Sequence, residues 1–592
     1  MSGSSIADYG LIGDTRTAAL SALHGSIDWM CAPAFDSEPI FGRLVGGEGA
    51  GSFQVEVEGV TGARRTYVGD SAVIETRLES RRGSGRLVDA MVVDVTGRLL
   101  PQTVLIRRLS CDDGELVGRV RFDPKLGLRG RPPRTSRRAG VLVCEWGSLA
   151  LGLQAFPEIE LAPGDDVGVA VPAGSSLTLV MTLAHRCPVT YLARASVDAL
   201  LDATLRWWAD WSTYIGYEGP FRGAVTRSLA TLQLLTYSPS GAPVAAPTTS
   251  LPEEIGGVRN WDYRFSWPRD ASIGLAAFLA VGKPDLAHSF MHWLLHSSRL
   301  TRPALAVLYT LFGRSPAEER EIPDVPGYRG SVPVRVGNDA QTQHQLDVYG
   351  WVVDAAWLLT DSGRELHAET WRAVAGMADF VAGHWQEPDA GIWEVRGEPL
   401  HHVHSKMMAW LCLDRAVRIA RARGGRARRV ARWSEEKERI RSDVAARGFD
   451  AAAGTYVRSY GSTDLDAAVL LLPVLGFDDD PARVRGTIDA IRRKLATDDG
   501  LVYRYPPGSD GIAGHEGAFL PCSFWLVQAL ALTGRADEAT RLFEDLLGRA
   551  NDLGLFSEEI DPSSGELLGN FPQALTHASV VQAALSLNVK DD

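Results

Sequence analysis

The spacing of hydrophobic positions divides the chain into two regions of different character. From about residue 51 to residue 185, short runs of β-branched and apolar residues alternate with polar ones, as in Ser52–Val57, Leu105–Leu109 and Leu177–Met181. Turn-forming Gly, Pro and Asp residues separate these runs. Alternation with a period of two is typical of strands that bury one face. The pattern predicts an antiparallel β-sandwich in an N-terminal domain of residues 1–190.

After Pro188 the apolar positions recur with helical spacing. The first helical segment, Ser196–Ile215, bears tryptophans and is predicted to form a helical linker over residues 191–219. Further helices are predicted at 220–237, 270–281, 284–298, 340–360, 364–384, 405–423, 430–447, 463–474, 480–495, 517–533, 535–550 and 573–587. Their alternately short and long connections indicate six hairpins closed into an (α/α)6 barrel over residues 220–592, with the long connections gathered at one end.

The length and charge of the chain limit its organisation and its partners. A chain of 592 residues exceeds what one hydrophobic core usually supports, so at least two domains are expected. The net charge of −12 at pH 7 and the pI near 5.6 leave no basic surplus to neutralise phosphate groups. Neither a nucleic acid nor a membrane is therefore expected as a partner, and a small neutral ligand fits better.

The cysteines indicate the compartment. All six stand apart without CxxC pairs, and several lie inside apolar runs, as Cys144 does. Buried thiols in a reducing compartment are the simplest interpretation. The first residues lack the basic start and apolar stretch of a secretory signal, and no apolar run reaches the length of about 18 residues that indicates a membrane span. We therefore expect a cytoplasmic protein, and unpaired sheet edges would allow a homo-oligomer.

Two short segments, Gly391–Glu394 and Phe556–Asp561, supply candidate catalytic carboxylates. Breaking a glycosidic bond with inversion requires a protonated carboxylic acid at the leaving oxygen and an ionised carboxylate that activates water. Glu394 follows Trp393, whose indole would disfavour the ionised form, so Glu394 is the candidate general acid. Glu558 lies in an acidic, turn-like cluster where polar neighbours and solvent would keep it ionised, so it is the candidate general base. By itself, the Glu394 segment is more typical of a surface glutamate beside a packing tryptophan, and the Glu558 segment is more typical of a helix cap or a solvated loop.

The segment Asn260–Asp270 concentrates aromatic faces and fixed charges at the start of a predicted helix. Sugars present an apolar C–H face and a rim of hydroxyl groups, which aromatic platforms and charged side chains bind together. Tyr263, Trp267, Arg269 and Asp270 supply both kinds of group, so we predict that they bind substrate. A buried Arg/Asp pair with Asp270 as a helix N-cap would explain the same residues, and the two interpretations are compatible.

Three weaker candidates also stand before predicted helices. Trp393 is expected to line the same pocket, and Lys406 is expected to reach it from the start of the next helix. Glu516 is either a helix-start carboxylate or a substrate contact. No metal site is predicted, because no carboxylate or cysteine stands at a recognisable ligand spacing from the nearby histidines, His401, His402 and His404.

Taken together, these segments resemble a known family. The chain is similar to prokaryotic members of the glucoamylase family, glycoside hydrolase family 15, in the subgroup that contains trehalases and related α-glucosidases. The motifs that carry the resemblance run almost from end to end: Ile6–Asp14, His24–Trp29, Asn260–Asp270, His404–Lys406 and Phe556–Asp561.

The resemblance implies a β-sandwich followed by an (α/α)6 barrel, and a hydrolase that inverts configuration without a cofactor. By position, Glu394 matches the family's general acid and Glu558 its general base. The positions that match residues around the non-reducing glucose are Tyr263, Trp267, Arg269 and Asp270. Departures from the expected pattern at Leu400, His402 and His515 put the specificity for the leaving group in doubt.

The predicted activity is the exo-acting, inverting hydrolysis of an α-glucoside with release of β-glucose. The predicted substrate is trehalose. Maltose, isomaltose or a malto-oligosaccharide is the alternative. An inverting phosphorylase would use phosphate as nucleophile and needs no catalytic base, so the presence of Glu558 argues against it. A sugar-binding protein without catalysis is disfavoured because both carboxylates are present.

Overall fold

The computed structural model of the chain describes residues 4–93, 102–316, 318–424 and 427–588. Its N-terminal part is built of antiparallel strands, and the rest is mainly helical. The strands of the N-terminal part are β1 (Tyr9–Gly13), β2 (Ala18–Ala22), β3 (Ser26–Cys31), β4 (Pro39–Phe41), β5 (Ser52–Val57), β6 (Val60–Tyr67), β7 (Ile74–Ser80), β8 (Gly83–Met91), β9 (Thr103–Asp123), β10 (Arg134–Arg138), β11 (Val141–Trp146), β12 (Leu149–Phe156), β13 (Asp166–Pro172) and β14 (Ser176–His185).

The long strand β9 joins two antiparallel sheets. Its first half pairs with β8 and β14, and its second half pairs with β5 and β13. From β8 the first sheet continues to β7 and β6, and from β14 it continues to β12, β11 and β10. From β5 the second sheet continues to β3, which pairs with both β2 and β4. This arrangement confirms the predicted N-terminal β-sandwich.

A buried arginine ties the two sheets together. Arg107, on the first half of β9, pairs with Asp89 of β8 at 2.8 Å, and neither side chain is more than 2% exposed. The same guanidinium donates to the backbone carbonyls of Phe53, on β5, and Gly25. Asp89 also accepts a hydrogen bond from the Ser21 hydroxyl at 2.7 Å. A buried charge is tolerated only when it is paired and hydrogen-bonded in this way.

Helices and short strands make up the remainder of the chain. The helices are α1 (Arg43–Gly46, within the sheet region), α2 (Arg194–Thr213), α3 (Arg222–Leu234), α4 (Pro268–Ala280), α5 (Pro284–Ser297), α6 (Asp347–Asp361), α7 (Ala368–His384), α8 (Val403–Ala422), α9 (Ala427–Arg447), α10 (Leu472–Leu475), α11 (Pro481–Leu495), α12 (Leu520–Leu532), α13 (Ala536–Leu547) and α14 (Ala574–Leu587). The short strands are β15 (Thr236–Tyr237), β16 (Ala242–Pro243), β17 (Thr249–Pro252), β18 (Asn260–Asp262), β19 (Arg320–Glu321), β20 (Arg335–Val336), β21 (Phe449–Asp450), β22 (Thr455–Tyr456), β23 (Ala518–Phe519), β24 (Glu559–Ile560) and β25 (Leu567–Leu568).

The helices from α3 onward form two concentric rings. The inner ring consists of α4, α6, α8, the 3-10 turn Ala467–Leu471 (which precedes α10), α12 and α14. Each of these elements contacts the next, and α14 closes the ring by contacting α4. The outer helices α3, α5, α7, α9, α11 and α13 alternate with the inner ones along the chain. This is the predicted (α/α)6 barrel.

The sequence of each helix explains its ring. The inner helices α8, α12 and α14 bury residues on nearly all of their faces, as a helix surrounded by others must. The outer helix α9 is charged over most of its surface and buries only Trp433, Ile440 and Val444. One apolar stripe is sufficient for a helix that packs on one side and meets water on the other.

The predicted helix 463–474 differs most from the structure. There the chain forms a 3-10 turn, Ala467–Leu471, and then the single turn of α10. The predicted start at residue 340 was also too early, because α6 begins at Asp347 after a 3-10 turn, Asp339–Thr342.

The long connections lie at one end of the barrel, as expected. Every connection from an outer to an inner helix is long, running over residues 235–267, 298–346, 385–402, 448–466, 496–519 and 548–573, whereas the return connections are short. Loops at one end of a rigid scaffold are where sites are built. The N-termini of the inner helices therefore converge on the same end.

The sheet region packs against this barrel through specific polar contacts. The buried indole of Trp29 donates to the backbone carbonyl of Pro247 at 2.7 Å. Arg65 forms an ion pair with Asp552 at 2.7 Å, and the side-chain amide of Asn551 donates to the Tyr9 carbonyl at 2.8 Å. In the ranges given above, no helix is long and apolar enough to cross a membrane.

We expect Arg107→Met to lower the free energy of unfolding by about 3–5 kcal/mol, because Asp89 would remain buried without its cation. Urea denaturation measures the difference. Arg77→Met is the control, since Arg77 is 75% exposed on neighbouring β7, and its effect should stay within about 0.5 kcal/mol. Equal stability of the two variants would contradict a structural role for Arg107.

Candidate active site

The long connections enclose one pocket that contains nearly all of the predicted site residues. Its empty space, counted together with its opening to solvent, is about 940 Å³. The predicted residues that line it are Tyr263, Trp267, Arg269, Asp270, Trp393, Glu394, Glu516 and Glu558. Five of the six outer-to-inner connections contribute to the lining. Residues far apart in sequence, such as Tyr263 and Glu558, which are 295 positions apart, therefore meet at one end of the barrel.

Glu394 is held at a single carboxylate oxygen. The indole N–H of Trp267 donates to Glu394 Oε1 at 2.7 Å, and Nη2 of Arg269 donates to the same atom at 2.9 Å. Among the described residues, no hydrogen bond reaches Oε2 of Glu394. The side chain is 21% exposed. The carboxylate thus has one oxygen fixed by the scaffold and one available to a ligand.

The backbone at Glu394 is strained. Its φ of +57° lies in the left-handed region that residues with a Cβ seldom adopt. The turn begins at Gly391, with φ of +72°, where an added Cβ would come within 2.8 Å of the His402 ring. The side-chain amide of Gln343 donates to the Glu394 carbonyl at 3.1 Å. The tight turn fixes the direction in which Glu394 enters the pocket.

Arg269 is itself fixed from behind. Its Nη1 donates to Gln345 Oε1 at 2.9 Å and to Asp347 Oδ2 at 3.2 Å, and its Nε lies 3.4 Å from Asp270 Oδ1. Burial alone would lower the pKa of Arg269, but the carboxylates of Asp347, Asp270 and Glu394 outweigh burial and raise it. Burial also raises the pKa of Asp270 to about 6, against the opposing charge of Arg269.

The sequence predicts that the indole of Trp393 contacts the Glu394 carboxyl group. In the structure, the indole that contacts it belongs to Trp267. Trp393 donates its N–H to Asp466 Oδ1 at 2.9 Å. Its ring packs 5.4 Å from that of Phe519 and 6.1 Å from that of Trp525. Trp393 still lines the pocket, but it acts as a wall and does not set the surroundings of the carboxylate.

Glu558 is also held at one oxygen, in surroundings that differ from those predicted. The acidic cluster suggested a solvated carboxylate, but Glu558 is only 2% exposed. The Tyr263 hydroxyl donates to Oε1 at 2.6 Å, while Oε2 has no hydrogen-bonding partner in the described part of the chain. Burial raises the pKa of Glu558, with the charge of Glu253 adding to the shift and Arg504 and the Tyr263 hydroxyl opposing it.

Two neighbouring rings connect the carboxylates. The rings of Tyr263 and Trp267 meet edge to face with centroids 5.5 Å apart. Tyr263 bonds Glu558, and Trp267 bonds Glu394. Both rings belong to the short segment before and at the start of α4, so the relative position of the two carboxylates depends on that segment.

A buried ionic network, which the sequence did not indicate, forms part of the pocket wall. Nη2 of Arg504 lies 3.1 Å from Glu253, 3.0 Å from Glu516 and 2.8 Å from Glu559. Arg259 pairs with Glu516 at 2.5 Å. Arg504 stands between Tyr503 and Tyr505, a mixture of charge and aromatic rings like that of Asn260–Asp270. This arginine between two tyrosines was the sequence signal that could have identified Arg504 as a residue of the site.

Lys406 lies outside the pocket, contrary to the prediction. Its ammonium group donates to the carbonyls of Trp385 at 2.6 Å and Glu387 at 2.5 Å. Burial lowers the pKa of Lys406 to about 8. Lys406 therefore braces the connection that carries Glu394, and its motif is explained by structure and not by substrate contact.

The histidines near Lys406 are also internal. Both His402 and His404 are buried, and burial lowers the pKa of each to about 4. In the part of the chain that the structure describes, no group of three or more His, Cys, Asp or Glu side chains is arranged to hold a metal ion. His402 packs beneath Gly391, so this departure from the expected pattern supports the turn at Glu394.

Comparisons with known proteins agree with this architecture. The family model "Glycosyl hydrolases family 15" matches residues 219–585, and the model "Trehalase-like, N-terminal" matches residues 2–138. Similar curated proteins include a trehalase of Mycolicibacterium smegmatis, 36% identical over 98% of this chain and 91% of its own length. A trehalase of Thermoplasma volcanium is 34% identical over 98% of this chain and 93% of its own.

A solved structure shares the fold over nearly the whole chain. The structure of a bacterial glucoamylase complexed with acarbose covers 99% of this chain and 94% of its own, with a TM-score of 0.70 and 14% sequence identity. The likeness supports the two-part architecture of sheet and helical barrel.

We expect Tyr263→Phe to raise the pKa of Glu558 further, because the Tyr263 hydroxyl stabilises the ionised carboxylate. Infrared titration of the carboxyl C=O stretch, taken as the difference from Glu558→Gln, follows this group. Tyr456→Phe is the matched control, since Tyr456 is buried and bonds a different carboxylate, Asp478. An unchanged or lowered pKa in Tyr263→Phe would contradict the assignment.

Proposed function

Because the chain belongs to the glycosyl hydrolases of family 15, we propose that it cleaves a terminal α-glucoside with inversion, releases β-glucose and prefers trehalose. Hydrolysis of a glycosidic bond is the activity of the family. The preference for trehalose is supported by the trehalases that resemble the chain over 98% of its length. Maltose, isomaltose and malto-oligosaccharides are the alternative substrates.

The observation that carries the proposal is the pairing of fixed and available oxygens. Glu394 has Oε1 bound by Trp267 and Arg269, and Glu558 has Oε1 bound by Tyr263. In the described residues, each carboxylate keeps Oε2 free of protein hydrogen bonds. Two carboxyl groups that line one pocket, each with one oxygen that no group of the described residues binds, suit a reaction that delivers one proton and removes another.

In the proposed mechanism, Glu394 is the general acid and Glu558 the general base. The proton on Glu394 Oε2 passes to the glycosidic oxygen as the bond from that oxygen to the anomeric carbon breaks. Glu558 Oε2 takes a proton from a water whose oxygen bonds to the opposite face of the anomeric carbon. The products are β-glucose and the leaving sugar, and exchange of the transferred protons with solvent restores both carboxyl groups.

The surroundings of Glu558 favour this role. A base is most effective when its pKa lies near the working pH, since it is then both ionised and strongly basic. Burial raises the pKa of Glu558 from the usual carboxylate range, and Tyr263 and Arg504 limit that increase. Glu558 therefore combines greater basicity with a fixed orientation.

The remaining lining residues are proposed to bind the glucose that is released. Arg269 and Asp270, whose Nε and Oδ1 pair at 3.4 Å, offer charged groups to sugar hydroxyls. Trp267 and Trp393 supply apolar faces for the C–H surface. Glu516 lines the same pocket and pairs with Arg504 at 3.0 Å.

The same proposal includes the conditions of the reaction. Every step above uses only side chains of this chain and water, so no cofactor is invoked. A cytoplasmic location is supported by the six cysteines, all unpaired and five of them buried. The proposed partner is a small α-glucoside, with neither nucleic acid nor membrane. Sheet edges leave room for a homo-oligomer.

We expect Glu394→Gln and Glu558→Gln each to lower kcat by about 10²- to 10⁴-fold, because each removes one proton transfer. Steady-state hydrolysis of the best disaccharide measures the loss, and circular dichroism checks that the fold is kept. Glu398→Gln changes an exposed residue of the same connection and should leave kcat unchanged. Full activity in either catalytic variant would remove that residue from the mechanism.

The anomeric product identifies both the stereochemistry and the substrate. We expect proton NMR of reactions with trehalose, maltose, isomaltose and maltotriose to show β-glucose before α-glucose, with trehalose cleaved fastest. Initial release of α-glucose would contradict inversion. Phosphate-dependent release of glucose 1-phosphate would favour a phosphorylase, and binding without turnover would favour a sugar-binding protein.

A further inference from the structure

The loop after Glu394 leads from the interior of the pocket to its mouth. Ile392 is 5% exposed, the Glu394 side chain is 21% exposed and the Arg396 side chain is 39% exposed. All three residues line the pocket. A general acid protonates the oxygen of the leaving group, so the leaving sugar lies on the open side of Glu394. Arg396, two residues further on, lies in the wall on that side.

Arg396 rests on an indole and is held by a carboxylate. Its guanidinium carbon lies 4.5 Å from the centre of the Trp261 ring, the arrangement in which a planar cation stacks on an aromatic face. Its Nη2 donates to Glu319 Oε2 at 2.6 Å. Glu319 is 8% exposed, so the carboxylate is largely protected from water and holds Arg396 firmly.

A second arginine fixes the platform beneath Arg396. The Arg335 guanidinium lies 4.8 Å from the same Trp261 ring and 3.4 Å from Glu319 Oε1. Arg335 also donates to the Val258 carbonyl at 2.7 Å. The Trp261 N–H donates to Glu253 Oε1 at 3.1 Å, which joins this wall to the buried network around Arg504. Glu319 thus bridges two arginines, of which only Arg396 reaches the exposed rim of the pocket.

We propose that Arg396, positioned by Glu319 and Trp261, binds hydroxyl groups of the leaving sugar and determines leaving-group specificity. This inference rests on the proposed hydrolysis of an α-glucoside. A guanidinium has five N–H donors, and in the described residues Glu319 is the one hydrogen-bonding partner of Arg396. Its other N–H groups are available to hydroxyl oxygens.

The same geometry makes recognition polar. Arg396 covers indole surface on which a sugar ring would otherwise stack, and it replaces apolar contact by directional hydrogen bonds. A site that hydrogen-bonds hydroxyl groups strongly disfavours ligands that lack them. The leaving group selected in this way is a short sugar with hydroxyls within reach of Arg396, in preference to an aromatic aglycone.

The test compares substrates with and without a leaving sugar. The wild type and Arg396→Ala are assayed with trehalose, maltose and isomaltose, and with α-glucosyl fluoride, whose leaving group is a single fluoride ion. Loss of a hydrogen bond from a charged group should lower kcat/KM for the best disaccharide by about 10- to 100-fold. The value for α-glucosyl fluoride should change less than about threefold, since its glucose does not contact Arg396.

Three further variants separate binding from structure. Arg396→Lys should recover only part of the activity on disaccharide, because it keeps the charge but loses the planar fork and the stacking. Glu319→Gln should give an intermediate loss confined to disaccharides, since Arg396 loses its anchor. Arg320→Ala removes an exposed arginine next to Glu319 and should behave as the wild type on every substrate. In Arg396→Ala, the kcat/KM for p-nitrophenyl α-glucoside should rise relative to the kcat/KM for the disaccharide.

The outcomes distinguish the two proposals. Equal losses on disaccharide and fluoride in Arg396→Ala, or no loss on either, would overturn the role of Arg396 while leaving the hydrolase intact. A wild type that cleaves α-glucosyl fluoride but no disaccharide would overturn both the proposed substrate and the role of Arg396. A selective loss on disaccharide supports the inference.

Discussion

The guanidinium of Arg269 is the group on which the rest of the site depends. It is almost fully buried and must be neutralised there, and the carboxylates of Asp347 and Asp270 do so, while Glu394 Oε1 accepts a hydrogen bond from its Nη2. Asp347 begins α6 and Arg269 lies in the first turn of α4, so the ion pair also fastens two inner helices to each other. Removing Asp347 would leave a buried cation short of charge and would free the carboxylate that Arg269 orients. The ion pair that packs α4 against α6 therefore also positions the proposed acid, Glu394.

The N-terminal sheet region contributes to the same constraint from outside the barrel. Arg264, within the site segment, pairs with Asp262 at 2.7 Å and donates to the Ser37 carbonyl at 2.8 Å. Among the first motifs of the chain, Trp29 acts in the same way because it bonds Pro247, while the Tyr9 hydroxyl bonds Asp28, next to Trp29, at 2.8 Å. These motifs matched the family although they lie far from the pocket in sequence. The contacts explain this, because they hold the strands and turns that lead into α4.

The fold was predictable because periodicity is a local signal that burial on one face imposes. The site segment at the start of α4 was predictable for a related reason, because its aromatic and charged residues lie within eight positions of one another. They are Tyr263, Trp267, Arg269 and Asp270. Partners brought together by closure of the ring were not predictable, as Arg504 with its three glutamates shows. The immediate sequence also misled, since the neighbour of Glu394 in the chain, Trp393, bonds Asp466, and Lys406 turns toward carbonyl groups. Sequence adjacency does not determine which side of a tight turn a side chain takes.

The common direction of the inner helices has an electrostatic consequence. Each helix carries a partial positive charge of roughly half an elementary unit at its N-terminus, and residues at or next to the N-termini of α4, α12 and α14 line the pocket. The lining contains more carboxylates than guanidinium groups, an imbalance that water would normally have to screen. The converging macrodipoles supply part of the compensation from the backbone itself. A ring of helices with one orientation is thus a scaffold on which several acidic side chains can share a partly dry space, whatever sugar they act on.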